Sequence, residues 1–239
     1  MKKTKKDNYP QHIAIICDGN RRWARGKGLP VFKGHDFAVK ETFEKLVDAA
    51  VDLNIPYITF WIFSTENWDR DKEEIEWLMN LFRYMFDHKI KKLGEKDIRV
   101  RVIGNRSGLA PDIQERIAKG EEETKNNKTL TVTLAMNYGG HDELVRAMTK
   151  IAQKVSAGEV GADEINQQVI EQHLDTAGLP RPDMIIRTSG EFRLSGFMSW
   201  QSEYAEYFFP EFSFPDFTPE RLGELVEEFQ HRNRRFGGN

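Results

Sequence analysis

The sequence predicts an α/β fold, with a central and mostly parallel sheet flanked by helices. Short apolar runs alternate with segments of helical periodicity along most of the chain, as expected when strands are joined by crossover helices. The 239 residues, of which 39% are hydrophobic, can bury one substantial core. No internal repeat, low-complexity tract or linker interrupts the pattern. We therefore predict a single domain over residues 9–239, preceded by a flexible tail over residues 1–8.

The first half of the chain predicts three strands with helices between them. Each predicted strand is a short apolar run, and in 98–102 the apolar residues alternate with arginines, as in a half-buried strand. The helices show apolar residues three and four apart. In order, the elements are strand 13–17, a helix after the loop that begins at Asp18, helix 39–51, strand 57–63, helix 75–86 and strand 98–102.

The second half continues the same alternation. Pro111 and Pro219 mark the first turns of two helices, because proline is tolerated where the helix needs no donated N–H. The predicted elements are helix 111–125, strand 130–136, helices 142–155 and 163–175, strand 184–186 and a last helix over 219–232. Parallel strands bring their carboxyl ends to one edge of the sheet, where ligands bind. The residues expected to converge there are Asp18, Ser64, Asn137 and Arg187.

Charge and cysteine content exclude several classes of protein. The 35 basic and 38 acidic residues give a net charge of -3, which argues against nucleic-acid binding despite the arginines near the C-terminus. Cys17 is the only cysteine, so it has no disulfide partner in the chain, in agreement with a reducing, cytoplasmic location. The lysine-rich N-terminus lacks the apolar stretch of a secretory signal, and no run of eighteen apolar residues predicts a membrane span.

The loop after the first strand has residues that suit a diphosphate. Asp18 and Gly19 are followed by Asn20, Arg21 and Arg22, where a helix is expected to begin. Arginine binds phosphate oxygens with two hydrogen bonds, N–H groups at a helix start add donors, and a carboxylate can hold magnesium against the same phosphate. An Asp-Gly turn with solvated arginines explains the composition equally well. The loop is convincing only if other strand ends show the same chemistry.

Two other strand ends carry comparable side chains. Ser64, Thr65 and Asn67 follow the second strand and fit either a ligand site or the cap of a helix. After the last predicted strand, Arg187 is followed by Arg193 and Ser195, which together suit a second anion. An arginine at the end of an apolar strand is costly to leave unpaired. Arg187 should therefore face a ligand or a buried carboxylate.

Other standard chemistries have little support in the sequence. It has no Walker lysine loop, dinucleotide glycine fingerprint, nucleophile elbow or zinc-ligand spacing. His35 could hydrogen-bond a phosphate, although a lone histidine is ordinarily a satisfied structural group. The aromatic stripe of Trp77, Phe82 and Phe86 fits an ordinary core or, if the phosphate sites are real, the lining of an apolar tunnel.

Five motifs in order closely resemble those of undecaprenyl diphosphate synthases, which are cis-prenyltransferases. The resemblance covers nearly the whole chain. It rests on the loop at Asp18, the run 64–70, Asn137 and Tyr138 with two following glycines, the segment 187–195, and the ending Arg234, Arg235, Phe236, Gly237, Gly238.

The resemblance implies a magnesium-dependent, homodimeric and cytoplasmic enzyme. Such an enzyme condenses isopentenyl diphosphate with an allylic diphosphate, here expected to be farnesyl diphosphate, and releases pyrophosphate. The product is expected to be a Z-polyprenyl diphosphate of undecaprenyl type, the precursor of a cell-wall lipid carrier. It would grow in an apolar tunnel beside the sheet, and peripheral contact with a membrane would suit its release.

The resemblance also assigns the diphosphate sites. Asp18 would hold magnesium on the allylic diphosphate, which the segment from Gly19 to Arg22 would cradle with help from His35. Trp23 would wall that site. Isopentenyl diphosphate would be bound by Arg187, Arg193 and Ser195. Further residues assigned by resemblance are Glu206, a metal ligand that would reach across a dimer interface, and Arg235 and Gly237, which would complete a neighbouring site.

The run after the second strand receives a catalytic role from the same resemblance. Asn67 is the position to which the family usually assigns acceptance of the proton. Because an amide is a poor base, we expect Asn67 to orient a water or a phosphate oxygen that takes the proton. The residues expected to shape its surroundings are Ser64, Thr65, Glu66, Trp68 and Arg70.

The chain departs from the family pattern at four positions. Arg21 replaces a usual second glycine, which some relatives also lack. Val31 replaces an arginine that would contact the allylic diphosphate, so we expect Lys33 to compensate. Phe192 replaces a polar residue and Gly196 an asparagine. These departures bear on metal geometry and substrate affinity more than on reaction class.

Product length depends on Ile62, which stands where long-chain relatives usually have alanine on the tunnel wall. Its bulk favours a short or medium product, although space recovered nearby would permit an undecaprenyl-type product. Leu130 is expected near the tunnel floor. A non-catalytic subunit of a heteromeric prenyltransferase is the alternative from another class. Retention of Asp18, Asn67 and Arg187, together with Arg193, argues against it.

Overall fold

The computed structural model describes residues 8–232. Of the predicted tail over 1–8, only Asn8 falls within this range. Its side-chain amide donates hydrogen bonds to the carbonyl oxygens of Phe229, Gln230 and Arg232, at 3.1, 3.2 and 3.0 Å. These carbonyls belong to the end of the last helix, where backbone acceptors have no partner within the helix. The described chain therefore begins against its own C-terminal helix.

The described residues form a six-stranded sheet in which every paired strand is parallel. The strand order is β3-β4-β2-β1-β5-β6. This arrangement confirms the predicted fold class. The strands are β1 His12–Ile16, β2 Tyr57–Ser64, β3 Ile98–Ile103, β4 Leu130–Tyr138, β5 Met184–Arg187 and β6 Glu206–Phe208.

Helices cover both faces of the sheet. The described α-helices are α1 Asn20–Gly26, α2 Phe32–Phe37, α3 Phe43–Asp52, α4 Lys72–Tyr84, α5 Lys91–Glu95, α6 Pro111–Thr124, α7 Gly140–Ser156, α8 Gln167–His173 and α9 Pro219–His231. Two π-helical segments, Ala38–Thr42 and Met85–Ile90, join α2 to α3 and α4 to α5. The chain thus has two long helical walls over residues 32–52 and 72–95. None of the helices in 8–232 is long and apolar enough to cross a membrane.

Most predicted boundaries agree with the structure to within three residues, and three differences are larger. The strand β6 was not predicted, because three residues at a sheet edge are too few to show a periodicity. The helix predicted over 163–175 is shorter, since Asn166 accepts a hydrogen bond from the N–H of Val169 and starts α8 at residue 167. The helix predicted over 39–51 begins seven residues earlier in the structure, at residue 32. His35 therefore lies on the helical wall 32–52.

The core lies on both faces of the sheet and is larger on one. Along β1, Ile13 and Ile15 belong to the larger cluster, whereas Ala14 and Ile16 face a smaller one. The larger cluster packs beneath the two helical walls and α9. All five β1 residues are buried, as expected of a central strand covered on both faces.

Two irregularities in β2 and β4 cancel each other. Trp61 pairs with Ala135 and Ser64 with Tyr138, so both strands advance by three residues between these pairs. Phe63 pairs with Met136 in between, which leaves Ile62 as the extra residue on one strand. A β-bulge of this kind redirects side chains next to a functional site. As a result, Ile62 and Phe63 both pack against the larger core cluster.

Candidate functional site

A cavity of about 550 Å³ opens at the carboxyl ends of the central strands. Of the four residues expected to converge, Asp18, Ser64 and Arg187 line it, whereas Asn137 does not. Asn137 is buried, with its amide bound to Trp68 and to the carbonyl of Asn105. Glycines that follow β4 line the cavity in its place. The polar lining comprises Asp18, His35, Ser64, Thr65, Glu66, Asn67, Arg70, His141, Asp142, Arg187 and Ser195.

Asp18 and Arg187 form an ion pair in the lining of the cavity, in which the arginine is buried and the carboxylate partly exposed. Arg187 is only 6% exposed, and its Nε and Nη2 donate to Oδ2 of Asp18 at 3.2 and 2.9 Å. Its Nη1 donates to the carbonyl of Arg193 at 2.7 Å and to Oγ of Ser195 at 2.8 Å. The carboxylate that faces Arg187 is Asp18, but its side chain is 33% exposed rather than buried. This pair joins the residue predicted to hold magnesium to a residue predicted to bind isopentenyl diphosphate.

The loop after β1 is held tightly against the end of β5. Thr188 Oγ1 donates to the carbonyl of Asp18 at 2.7 Å and accepts from its N–H at 3.1 Å. Gly19 has φ +95°, and a Cβ at this position would lie 1.9 Å from Oγ of Ser189. A side chain there would be both strained and obstructed. Glycine therefore lets the Asp18 loop approach the loop that carries Arg193.

Glu191 joins two arginines at the edge of the site. It accepts from Nη2 of Arg22 at 2.9 Å and from Nη1 of Arg193 at 2.6 Å. The hydrogen bond from Arg22, together with Arg193, holds the pKa of Glu191 below its usual value. Both arginines are well exposed, with 65% and 58% of their side chains accessible. One carboxylate thus pairs with two arginines that the resemblance assigns to different diphosphates.

Glu74 makes a similar contact on the opposite side. It accepts from Arg70 at 2.8 Å and lies 3.7 Å from Arg21. His35 lines the cavity near these guanidinium groups, and its buried Nε2 has no hydrogen-bond partner among the described residues. Burial, followed by the charges of Arg70 and Arg21, lowers the pKa of His35 to about 3. A neutral imidazole with an unused nitrogen can bind a phosphate oxygen.

The run after β2 serves as a cap as well as a cavity wall. Ser64 and Asn67 form a capping box on a short 3-10 helix, in which Oδ1 of Asn67 accepts from the N–H of Ser64 at 3.2 Å. Asn67 nevertheless lines the cavity. Burial acts to raise the pKa of Glu66, but hydrogen bonds from its own N–H and from Ser64 and Thr65 bring it below the usual value. The cap is therefore present in this run, whereas its role in binding a ligand stays a prediction.

Several predicted site residues lie outside the cavity lining. Trp23 donates from Nε1 to Asp216 at 2.8 Å, and its ring contacts Phe37 at 4.9 Å between centroids. Trp68 is packed edge-on against Phe63 and bound to Asn137. Leu130 is buried at the start of β4, away from the cavity. Gly19, Asn20, Arg21, Arg22 and Arg193 also lie beyond the cavity lining, and the predicted residues Arg235 and Gly237 lie outside the described range.

Glu206 is not brought to Asp18 within the chain. It begins β6 and pairs in register with Met184, the first residue of β5, whereas Arg187 is the last. Its carboxylate accepts from Nη1 of Arg232 at 3.0 Å. Three strand residues separate the level of Glu206 from that of the Asp18 pair, about 10 Å along the sheet. A shared metal would therefore need Glu206 from a second copy, as the sequence analysis expects.

The donors present fit a magnesium ion that a diphosphate helps to hold. Residues 8–232 contain no cluster of three or more His, Cys, Asp or Glu side chains able to bind a metal. Magnesium keeps several waters and is often bound by one carboxylate together with substrate phosphates. The Asp18 side chain is 33% exposed beside arginines and can act as that carboxylate. The site thus suits a metal that arrives with its substrate.

An apolar cleft extends from the cavity between the two helical walls. Ile62, His35, Cys17 and Leu78 line both spaces, and the cleft continues past Phe43 and other apolar residues. Its volume is only about 40 Å³, much less than the cavity's volume of about 550 Å³. Of the residues expected to line or floor the tunnel, Phe82 and Ile62 line this cleft, whereas Trp77, Phe86 and Leu130 do not. Ile62 stands at its entrance.

The four departures occupy distinct positions. Arg21 faces Glu74, as described above. Val31 precedes α2, and Lys33 lies with its ammonium 5.7 Å from the ring centroid of Phe32. Phe192 is 79% exposed. Gly196 has φ +83° and accepts a hydrogen bond from the N–H of Gly140 at 2.9 Å, so a conformation that favours glycine is present there.

The carboxylates that pair with Arg22, Arg70 and Arg193 were not predicted from the sequence. Glu191 lies two residues before Arg193, and Glu74 lies four residues after Arg70. The second spacing is a recognised helical ion pair and could have been found. The bridge from Glu191 to Arg22 joins residues 169 apart and had no local signal.

Comparisons with known proteins agree with this geometry. The family model described as putative undecaprenyl diphosphate synthase matches residues 16–237. An isoprenyl transferase from Agrobacterium fabrum is 43% identical over 99% of this chain and 96% of its own. A ditrans,polycis-undecaprenyl-diphosphate synthase from Pasteurella multocida, named as specific for (2E,6E)-farnesyl diphosphate, is 43% identical over 97% of this chain and 96% of its own.

A solved structure is also similar. It is that of lavandulyl diphosphate synthase from Lavandula x intermedia in complex with dimethylallyl diphosphate. The TM-score is 0.94 and the identity 36%, with 97% of this chain and all of that chain covered. The similarity therefore extends to relatives named for very different products.

Proposed function

The chain belongs to the undecaprenyl diphosphate synthase family of prenyltransferases, and from this premise we propose that it condenses isopentenyl diphosphate with an allylic diphosphate. The single observation that carries the proposal is the Asp18–Arg187 pair in the lining of a cavity that leads into an apolar cleft. Diphosphate groups need charged donors, and prenyl chains need apolar surface. The cavity and cleft supply both at adjoining positions.

The reaction requires little covalent chemistry from the protein. The bond between the allylic carbon and its diphosphate oxygen breaks, and the pyrophosphate leaves with the electron pair. The double bond of isopentenyl diphosphate forms the new carbon–carbon bond, and a proton is then lost. Oriented binding and stabilisation of the leaving charge supply most of the acceleration in such a step.

We assign the allylic diphosphate to the side of the cavity near α1 and α2. Asp18 and Arg70 line this side of the cavity, and the unused Nε2 of His35 supplies a further polar contact. Arg22 lies outside the lining and would have to leave Glu191 to reach the diphosphate. Isopentenyl diphosphate would occupy the side formed by Arg187, Arg193 and Ser195. The hydrogen bond from Arg187 to Ser195 supports this assignment, since it holds both groups beside the cavity.

Asn67 would orient the acceptor of the proton. Its amide oxygen is held by the capping box, which leaves the amide NH₂ free to direct a water or a phosphate oxygen. Glu66 stays ionised because its pKa is lowered. Magnesium held by Asp18 would neutralise charge on the departing pyrophosphate.

The product is the finer part of the proposal. An undecaprenyl-type chain, made from farnesyl diphosphate, agrees with the name of the relative from Pasteurella multocida. A short or medium product is favoured by Ile62 and by the small volume of the cleft. We also propose that the enzyme is a cytoplasmic homodimer in which Glu206 meets the site of the partner, and that it contacts a membrane when the product leaves.

The test is pyrophosphate release from purified protein given isopentenyl diphosphate with dimethylallyl, geranyl or farnesyl diphosphate, with and without magnesium. We expect release only with both substrates and the metal. A chain that releases pyrophosphate with none of the primers would contradict the proposed function.

Thin-layer analysis of the products of native enzyme and of Ile62→Ala decides between the two product classes. One prenyl unit has about five carbons, and its burial gains on the order of 3 to 4 kcal/mol if space is available. Overpacking typically costs about 1 to 3 kcal/mol, which offsets most of that gain. Longer lipids from Ile62→Ala would support the proposal that the Ile62 side chain limits product length, whereas identical product lengths would contradict it.

A further inference from the structure

A buried lysine joins the two helical walls. Lys89 is only 8% exposed, although lysine is rarely buried unless it is paired. Its ammonium donates to the carbonyl oxygen of Lys40 at 2.7 Å and to Oε2 of Glu44 at 2.7 Å. Lys89 belongs to the wall 72–95, and both of its acceptors belong to the wall 32–52. The contact is therefore a cross-link between the walls.

Both ends of the cross-link involve π-helical segments. Lys89 lies in Met85–Ile90, and Lys40 lies in Ala38–Thr42. Such segments are rare and occur mostly where a helix serves a functional site. Two of them face each other here through one hydrogen bond.

The cross-link lies within about one helical turn of residues that line the cleft. Met85 lines the cleft and precedes Lys89 by four residues, about one helical turn. Phe43 also lines the cleft and lies between Lys40 and Glu44 in the other wall. A prenyl chain that grows past Met85 and Phe43 would then approach the ammonium of Lys89.

Other contacts between the walls are more exposed. Lys96 lies 3.8 Å from Glu44 and 2.6 Å from Asp48, with 41% of its side chain accessible. Lys40 has its ammonium 5.2 Å from the ring centroid of Tyr84. The hydrogen bond from Lys89 is the main cause that keeps the pKa of Glu44 below its usual value. Glu44 is therefore ionised at neutral pH where it accepts from Lys89.

We propose that Lys89 is a positioning residue that limits product length by holding the two helical walls together beside the cleft. This inference rests on the proposed prenyltransferase function. The cleft is too small for a growing chain unless the walls part, because its free volume is about 40 Å³. Parting the walls there would separate a buried ammonium from its partners, which is strongly unfavourable. Elongation should therefore stop where this cost exceeds the gain from burying another prenyl unit.

The test compares Lys89→Met with native enzyme and with Lys96→Met. Methionine keeps an unbranched apolar side chain and removes the ammonium. Lys96→Met is the matched control, because it removes a more exposed lysine that approaches the same Glu44. Each enzyme is given the primer that is most active with native protein, and products are separated by chain length. Initial rates of the first condensation give kcat and KM.

For Lys89→Met we expect products longer by at least one prenyl unit, with the KM of the primer within about threefold of native. Lys96→Met should give the native ladder. A general loss of structure would also change the kcat and KM of the first condensation. A change in product length without a change in these constants therefore distinguishes a positioning role from a merely structural one. An unchanged ladder from an active Lys89→Met enzyme would overturn the proposal.

A second variant keeps the test decisive if Lys89→Met does not fold. Glu44→Gln removes the charge of one acceptor but retains the hydrogen bond from Lys89 to the carbonyl of Lys40. We expect a smaller shift towards longer products, and a native ladder from this variant would count against the cross-link. Failure of the proposed function is distinguishable, since native protein would then form no product with any primer.

Discussion

Arg187 and Arg193 were both predicted to bind isopentenyl diphosphate, but Arg187 is buried and Arg193 is exposed in the structure. Arg187 is 6% exposed, and its guanidinium bonds to Asp18, to a backbone carbonyl and to Ser195. The Arg193 side chain is 58% exposed, and its described ion pair is with Glu191. The first is fixed before any substrate binds, whereas the second can turn towards one. Substitutions should therefore separate stability from affinity at these two positions.

The largest effect is expected from Asp18→Ala. Turnover should nearly vanish, because the predicted metal ligand is lost. Stability should also fall, since the substitution leaves the buried charge of Arg187 without its carboxylate, at a cost of about 3 kcal/mol. Pyrophosphate release and urea unfolding measure the two losses. This revises the simpler expectation that Asp18 serves the metal alone.

Asp18→Asn is the matched variant, because it keeps the shape and removes the charge. It should lose turnover as well but unfold at a urea concentration no lower than that of Asp18→Ala. Native turnover in either variant would remove Asp18 from the mechanism.

The next effect is expected from Arg187→Met. The KM for isopentenyl diphosphate should rise by up to about two orders of magnitude, as for loss of a charge-assisted bond worth roughly 1.5 to 3 kcal/mol. Stability should fall less than in Asp18→Ala, by about 1 kcal/mol, because the orphaned Asp18 is 33% exposed and can be hydrated. Steady-state kinetics and urea unfolding would show both. Loss of allylic affinity alone would show that the two sites are reversed.

Arg193→Ala should raise the same KM by about tenfold, the effect of one charge-assisted bond of roughly 1.5 kcal/mol. Its unfolding free energy should stay within about 0.5 kcal/mol of native, as for most surface substitutions. Arg25→Ala, at an exposed position of α1, is the control. A stability loss as large as that of Arg187→Met would contradict the contrast between the buried and exposed arginines.

A smaller effect is expected from Glu191→Gln, which frees Arg22 and Arg193. The KM of both diphosphates should fall by about two- to threefold, since exposed ion pairs are weak. The pKa of the Glu191 carboxyl is lower in the folded protein than its unfolded value near 4.5. The ion pairs of Glu191 with the two arginines are therefore fully present above the unfolded pKa, and they are lost as the pH falls through the folded pKa. The difference between native and variant should therefore be constant across neutral pH. A difference that changes there would assign the effect to another group.

The smallest effect is expected from Val31→Arg. The new arginine should lower the allylic KM a few-fold if it restores the contact usual in relatives. Lys33→Ala tests the compensation expected of Lys33, whose ammonium lies 5.7 Å from the ring centroid of Phe32. A higher allylic KM in this variant would support that role. No change in Val31→Arg, or a loss of activity, would count against the alignment at this position.

The sequence predicted the parts of the molecule that repeat. Five strands and the rim at Asp18, Ser64 and Arg187 followed from apolar runs and from the geometry of parallel sheets. It could not predict contacts between distant residues, such as that of Glu191 with Arg22. The π-helical segments also gave no signal, because one inserted residue hardly alters a helical stripe. The sequence did distinguish Arg187, at the end of an apolar strand, from Arg193, but it could not identify Asp18 as the carboxylate that Arg187 contacts.

The paired irregularities in β2 and β4 have a consequence for how this fold can vary. Ile62 and Asn137 are extra residues on opposite strands, and their effects on register cancel before Ser64 meets Tyr138. Loss of one residue from either strand alone would slide every later pairing and displace the cavity wall. Loss of one residue from both strands would leave the carboxyl ends of the strands aligned while removing Ile62. Insertions and deletions in this part of β2 and β4 should therefore occur as compensating pairs. The length of the tunnel can then change while the residues at the carboxyl ends of the strands keep their positions.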